Sequence, residues 1–227
     1  MFFGNTMRKY RLTTLLVVLM VYIFTMSYTS ILRGLLSPPM FALLLISLLQ
    51  AVDLSTRLYR LLAGIGVAAL IMHVAGLILP GSESMPGEVS PMVLVGVVLY
   101  MSLTALAIGG LLSSIFHARV ITPDVIRGSI SVYLLLGVFY ALFYVIVYAI
   151  EPSQFSESFQ PDSFSAYIYF SFTTLTTLGY GDISPAGSMA RTLSSIEALT
   201  GQLYLTIIIA RLVGLHLAHS SKIPDSR

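Results

Sequence analysis

Six apolar runs, at residues 12–25, 40–52, 61–79, 91–116, 130–150 and 193–217, occupy most of this chain and limit what it can become. A helix needs about 20 apolar residues to cross the ~30 Å hydrocarbon core of a bilayer, and a helix in lipid satisfies its own backbone hydrogen bonds. Charged residues make up only 10% of the sequence, against roughly 25% in soluble domains whose surface water must wet. The expectation is an all-α integral membrane protein with six transmembrane helices, the run at 40–52 being the shortest. Pro38 and Pro39 are expected to form the turn ahead of that run, because proline disfavours helix in the residue before it. The apolar run at 12–25 follows Arg8, Lys9 and Arg11 without a small-residue cleavage pattern, so it reads as a retained span.

Orientation follows from the cations, because cytoplasmic connections of membrane proteins carry the Lys and Arg excess. With the N-terminus inside, Arg8, Lys9, Arg11, Arg57, Arg60, Arg119, Arg127, Arg211, Lys222 and Arg227 lie at cytoplasmic ends, and only Arg33 and Arg191 lie outside. Both termini are then cytoplasmic in a plasma membrane, the inner membrane if the source is bacterial. Arg211 can serve a role within the last span or equally just snorkel from it. Glu83, Glu88, Glu151, Glu157, Asp162 and Asp182 collect at the opposite face. They can be ordinary solvated loop residues or a means of concentrating cations at an entrance.

Absent residue types exclude several functions. No cysteine is present, which removes thiolate metal sites and cysteine nucleophiles, and the net charge of +2 has no basic run to serve nucleic acid. No internal repeat, paired acids or Ser/His pair marks a transporter or an intramembrane enzyme, so an enzyme is not expected.

The chain divides into a four-span segment, 1–121, a second segment, 122–218, and a short tail, 219–227. Thr122, Pro123 and Asp124 read as a helix start, with a capping hydroxyl, a proline in the first turn and an acid favoured by the helix dipole. One helix is predicted over 123–150 and another over 190–218. The stretch between them is too long for a tight hairpin and too polar to span the bilayer alone. Within it a short helix is predicted over 163–176, capped by Ser163, followed at once by Thr177, Leu178, Gly179, Tyr180, Gly181 and Asp182. The alternative is a transmembrane helix in which Thr173, Thr174, Thr176 and Thr177 bond back to their own backbone.

This run, placed after a short helix, resembles the filter signature of potassium channels, in which main-chain carbonyls replace the hydration shell of the ion. The resemblance implies a homotetramer around a central pore, with a re-entrant pore helix and an extended filter, 177–182, between the fifth and sixth spans. It also implies potassium ions at Thr177, Leu178, Gly179 and Tyr180, with no other cofactor. The partners implied are three identical subunits, membrane lipid and monovalent cations. Successive carbonyls face one side only if backbone handedness alternates, and Gly179 and Gly181 permit positive φ without steric cost. Leu178 stands where valine is commoner in the family, and the pattern's tryptophans are missing.

In their absence Tyr180 is expected to pack on Tyr169 and Phe170, with the Tyr169 hydroxyl as partner for Asp182 and Thr173 as further filter support. Gly201, Gln202, Leu205, Thr206 and Ile209 would line the cavity and gate by the same resemblance, with Gly201 serving either as a bend or as a close-packing site. Glu197 is an acid inside a span, which marks a functional candidate by default. It would brace the filter from behind or sit protonated without further role, with Arg191 as a candidate partner. His216 and His219 suit internal pH sensing or, as plainly, the dipole at a helix C-terminus. The region at 90–116 corresponds in number to a voltage sensor but has no Lys, Arg, Asp or Glu. The functional expectation is therefore a potassium channel without steep intrinsic voltage dependence. Its alternatives are a weakly selective monovalent cation channel and a secondary transporter.

Overall fold

The computed structural model describes residues 2–25, 30–51, 55–78, 91–159, 161 and 164–220. Among these there is no β-strand, and the chain is helical throughout: α1 (Phe2–Thr25), α2 (Ser30–Ala51), α3 (Thr56–Ile78), α4 (Pro91–His117), α5 (Pro123–Ile150), a short α6 (Phe164–Leu175) and α7 (Ser188–Ser220). Among the described residues three stretches are long and apolar enough to cross a membrane by length and composition, Val93–His117, Pro123–Ile150 and Ser188–Leu215. Shorter apolar helices cover Arg11–Thr25 and Pro39–Ala51.

The turn expected at Pro38 and Pro39 does not form, since α2 runs from Ser30 to Ala51 through both prolines. Each proline removes one N–H from the helical ladder, a loss that membrane helices tolerate when neighbouring groups re-satisfy the freed carbonyls.

Helices adjacent in sequence pack side by side from α1 to α5, and α1 closes back onto α5. The face of α5 turned to this group is sealed by small side chains. Gly128, for example, lies against Leu12 and Ile115, so a Cβ there would meet their methyl groups at 3.5 and 3.8 Å. The α5 N-terminus is capped by Thr122, whose hydroxyl accepts from the Val125 N–H at 3.3 Å, with Pro123 and Asp124 in the first turn. Elsewhere α5 carries α6 and α7. Leu135, Val138 and Tyr144 are fully enclosed along it.

Arg211 does not snorkel to water. Its guanidinium turns from α7 to the end of α4, where it donates to the carbonyls of Ile115 (3.1 Å), Phe116 (2.7 Å) and Ala118 (2.8 Å) and lies 5.4 Å from the Phe116 ring centre. The last carbonyls of a helix have no partner within it and carry partial negative charge, and a guanidinium satisfies both needs.

Candidate functional site

The α6 helix has 12 residues, which at 1.5 Å per residue is about 18 Å and too short to cross a ~30 Å core. Thr173, Thr174 and Thr176 do bond back to the carbonyls of Phe170, Phe170 and Phe172, yet the helix stops at Leu175. This overturns the transmembrane alternative for the threonines. The chain then returns to the level at which α5 ended. Phe155 pairs with Pro185, the Ser156 N–H donates to Ser184 O at 2.9 Å, and the N–H groups of Ala186 and Gly187 donate to Gln154 O at 2.8 and 3.0 Å. A short helix that enters, and an extended segment that comes back to the same side, make a re-entrant loop. Ser163, its expected cap, lies outside the described residues.

Three residues of the returning segment have left-handed backbone: Thr177 (φ 57°), Gly179 (φ 52°) and Gly181 (φ 84°). Leu178 and Tyr180 between them do not, so handedness alternates residue by residue, the condition for turning successive carbonyls the same way. Glycine adopts this conformation freely, while a β-branched threonine does so at a cost of about 1–3 kcal/mol. The start of the segment is pinned to α6. The Thr177 N–H donates to Thr174 O at 2.9 Å, and the Thr173 carbonyl accepts from both Leu178 (2.9 Å) and Gly179 (3.1 Å).

Behind this segment Tyr169 joins two of the predicted residues. Its ring stacks on Tyr180, with centres 6.4 Å apart and planes 5° from parallel, and its hydroxyl donates to Asp182 Oδ2 at 2.7 Å. Phe170 is not part of this stack. It faces the other side of α6, where it meets Tyr144 edge-on at 4.7 Å and Phe155 at 5.6 Å within a buried aromatic cluster that includes Phe159 and Tyr167. Adjacent residues on a helix point about 100° apart, so Tyr169 and Phe170 cannot serve one layer. The Leu178 and Tyr180 side chains are 55% and 68% exposed on the single chain.

Glu197 is fully buried; the Tyr144 hydroxyl of α5 donates to its Oε2, and the Ser171 hydroxyl of α6 lies against its Oε1, each at 2.5 Å. Arg191 is not its partner; the Arg191 Nε donates to Pro185 O at 3.4 Å instead. Six residues of helix put the two side chains about 120° apart around the axis, which turns Arg191 away from Glu197 and keeps it at the loop. Gly201 sits where α7 crosses the end of α6. A Cβ there would collide with the Leu175 carbonyl oxygen, so close packing accounts for this glycine, and α7 continues through it as one helix. Gln202 Nε2 approaches Thr177 Oγ1 at 3.4 Å, and Leu205, Thr206 and Ile209 are exposed along the same helix. The side chains of His216 and His219 lie outside the described residues.

Several residues that hold the site together were missed by the reading of the sequence. Gln154 is one: its carbonyl anchors the returning chain, and its Oε1 accepts from the N–H groups of Met189 (3.0 Å) and Ala190 (3.4 Å) at the start of α7. Its Nε2 donates to Glu151 at 2.7 Å, and hydrogen bonds from Ser153 and Gln154 hold the Glu151 carboxyl below the usual carboxylate range. Tyrosines are the other group. Tyr133 reaches Leu175 O (3.4 Å), Tyr140 meets the Thr200 hydroxyl (2.9 Å), and Tyr204 of α7 returns to Ser129 O (2.7 Å). The spacing of seven and four between Tyr133, Tyr140 and Tyr144 places them on one α5 face, which is the signal that could have found them.

Comparison with known proteins bears on this part of the chain. Residues 129–215 match a family model described as ion channel. The chain is 32% identical over 111 residues to the uncharacterized membrane protein YdjJ of Bacillus subtilis, covering 47% of this chain and 32% of that protein. It is 43% identical over 51 residues to the inward rectifier potassium channel Kirbac3.1 of Paramagnetospirillum magnetotacticum, covering 22% and 17% respectively. It is 35% identical over 74 residues to two-pore potassium channel 4 of Arabidopsis thaliana, covering 33% and 26%. The chain thus spans about a third or less of the length of each of these relatives. No solved structure matches it. The family match covers most of α5, the whole re-entrant loop and most of α7, and with the apolar helices it supports a membrane-embedded ion channel rather than an enzyme.

Proposed function

We propose that four copies of this chain assemble around a central axis as a potassium-selective channel. Potassium ions then pass in single file between main-chain oxygens of Thr177, Leu178, Gly179 and Tyr180, the side-chain oxygen of Thr177 adding to the inner end. The observation that carries this reading is the alternation of handedness at Thr177, Gly179 and Gly181 on a segment turned back behind a 12-residue helix. Such a backbone presents a row of oxygens that can replace water around a monovalent cation. The relatives named as potassium channels point the same way.

One strand forms only part of a ring, and the single chain leaves the corresponding surface uncovered. Leu199 and Leu203 of α7 are 63% and 59% exposed, and Tyr180 of the returning segment is exposed as well. Further copies of the chain would bury this surface, with Gln202, Leu205, Thr206 and Ile209 facing a water-filled cavity below the filter. The C-terminus of α6 points its partial negative charge toward that cavity, which favours a cation there.

The first four helices complete a six-span subunit with both termini in the cytoplasm, following the distribution of Lys and Arg. Voltage sensing draws on charges that move through the field, each worth about 2.3 kcal/mol per 100 mV. The α4 helix has none, so conductance rises without a steep voltage dependence.

Reconstitution into liposomes tests the proposal. The reversal potential should follow the potassium gradient, and the current should vanish in Gly179→Ala, where a Cβ opposes the φ of 52°. Equal permeation of sodium would leave a weakly selective cation pore in place of this reading, and slow saturable flux without unitary currents would leave a transporter.

A further inference from the structure

The contacts of Glu197 contain more hydrogen-bond acceptors than an ionised carboxylate allows. Ser171 Oγ lies 2.7 Å from the Gly137 carbonyl oxygen of α5 and 2.5 Å from Glu197 Oε1. A serine hydroxyl has a single proton, and a carbonyl can only accept. If that proton goes to Gly137 O, the contact with Oε1 needs a proton from Glu197. If it goes to Oε1, two lone-pair oxygens are pressed together at Gly137. Only a protonated Glu197 satisfies both contacts: the acid donates to Ser171, Ser171 donates to Gly137 O, and the Tyr144 hydroxyl donates to Oε2 at 2.5 Å.

The surroundings agree. Glu197, Ser171 and Tyr144 are all fully buried, and among the described residues no cation is paired with the carboxyl. The titratable groups that bear on it are Tyr133, Tyr140 and Tyr144, all on α5, while α6 brings the neutral hydroxyls of Ser171 and Thr174. An isolated ion in such a place is costly, and a carboxyl there takes up a proton instead.

We propose that Glu197 is held as the neutral acid and acts as a proton-bearing tie, fastening α7 to both α5 and α6 directly behind the re-entrant loop. It is a positioning residue: it touches no ion, and it acts through Ser171 on the helix whose end pins Leu178 and Gly179. Its bearing on conduction rests on reading 177–181 as a filter; its protonation does not. When the pH rises far enough, the proton leaves to solvent hydroxide. The Ser171 proton then swings to the carboxylate, the bond to Gly137 O is lost, and an unpaired charge appears behind the loop. Conduction therefore falls at alkaline pH.

Infrared spectroscopy of the full chain in detergent gives a test independent of transport. The parent at neutral pH should show the carbonyl stretch of a protonated carboxylic acid, above the amide I band, which shifts in D2O and is missing from Glu197→Gln. Its absence from the parent overturns the proposal. In liposomes Glu197→Ala should lose potassium flux by about tenfold or more, because buried hydroxyls are left unsatisfied. Glu197→Gln, which keeps a donor for Ser171 and an acceptor for Tyr144, should bring flux back to within about threefold of the parent and remove the alkaline limb of its pH profile. A Gln variant as impaired as Ala, or one that keeps the alkaline limb, also overturns the proposal. An acid band in a parent that passes no potassium leaves the protonated tie standing and removes the channel reading.

Discussion

Substituting Gly201 by alanine tests the packing of α7 against the loop most directly. The added Cβ would fall inside contact distance of the Leu175 carbonyl oxygen, 3.0 Å from Leu175 Cδ1 and 3.2 Å from its carbonyl carbon. A main-chain carbonyl cannot rotate aside, so α6 and α7 must part, at an overpacking cost of about 1–3 kcal/mol. Alanine also gains about 1 kcal/mol over glycine in a helix interior, which leaves a net loss of roughly 0–2 kcal/mol. Gly214 in the same helix has no atom within 4 Å of its Cβ position, so Gly214→Ala takes the propensity gain alone. The difference between the two variants cancels propensity and isolates the clash at about 1–3 kcal/mol. For a chain of this size that is a gap in Tm of roughly 2–12 °C. Gly137→Ala belongs between them, because its Cβ would meet the Phe172 ring at 2.6–2.9 Å, and a side chain can yield where a carbonyl cannot. Thermal unfolding followed by far-ultraviolet circular dichroism, at fixed detergent and protein concentration, reads all three. Coincident Tm values for Gly201→Ala and Gly214→Ala would refute the argument.

Arg211→Gln should weaken the link between α7 and α4 by about 1.5–3 kcal/mol, the range for hydrogen bonds to a charged group, while leaving the reversal potential unchanged because the guanidinium faces α4; a shifted reversal potential would place that charge in the ion path instead. Tyr169→Phe removes the donor to Asp182 and keeps the ring stack, so sodium permeability relative to potassium should rise. Asp182→Asn should act through the same bond, and additive effects in the double variant would show that the two residues work separately.

The sequence made α5 legible to the residue, at Pro123–Ile150, because Thr122, Pro123 and Asp124 start a helix by local chemistry and the apolar run has nowhere else to go. The loop was legible through a resemblance: Thr177 to Asp182, after a threonine-rich helix, resembles the filter signature of potassium channels, and the two glycines at alternate positions fit it stereochemically. Local chemistry misled at Pro38 and Pro39, where a membrane helix accommodates what would break a soluble one. It also did not show that Thr177 shares the left-handed backbone, since no threonine advertises a positive φ. The positions of Gln154 and Gly137 depend on contacts across 30 or more residues, and such contacts leave no periodic trace. Phe170 was misplaced because an aromatic next to Tyr169 in sequence is not next to it on the helix surface.

The α5 helix, packed on one side by α1 and α4 and on the other by α6 and α7, is a wall shared by two compartments. In water, stripping one compartment from such a wall would expose an apolar surface and be strongly resisted. In a bilayer the vacated face meets lipid chains as apolar as the leucines they replace. The rear compartment is thus thermodynamically separable from the front, and the tie that resists separation is the grip of Arg211 on the three carbonyls at the foot of α4.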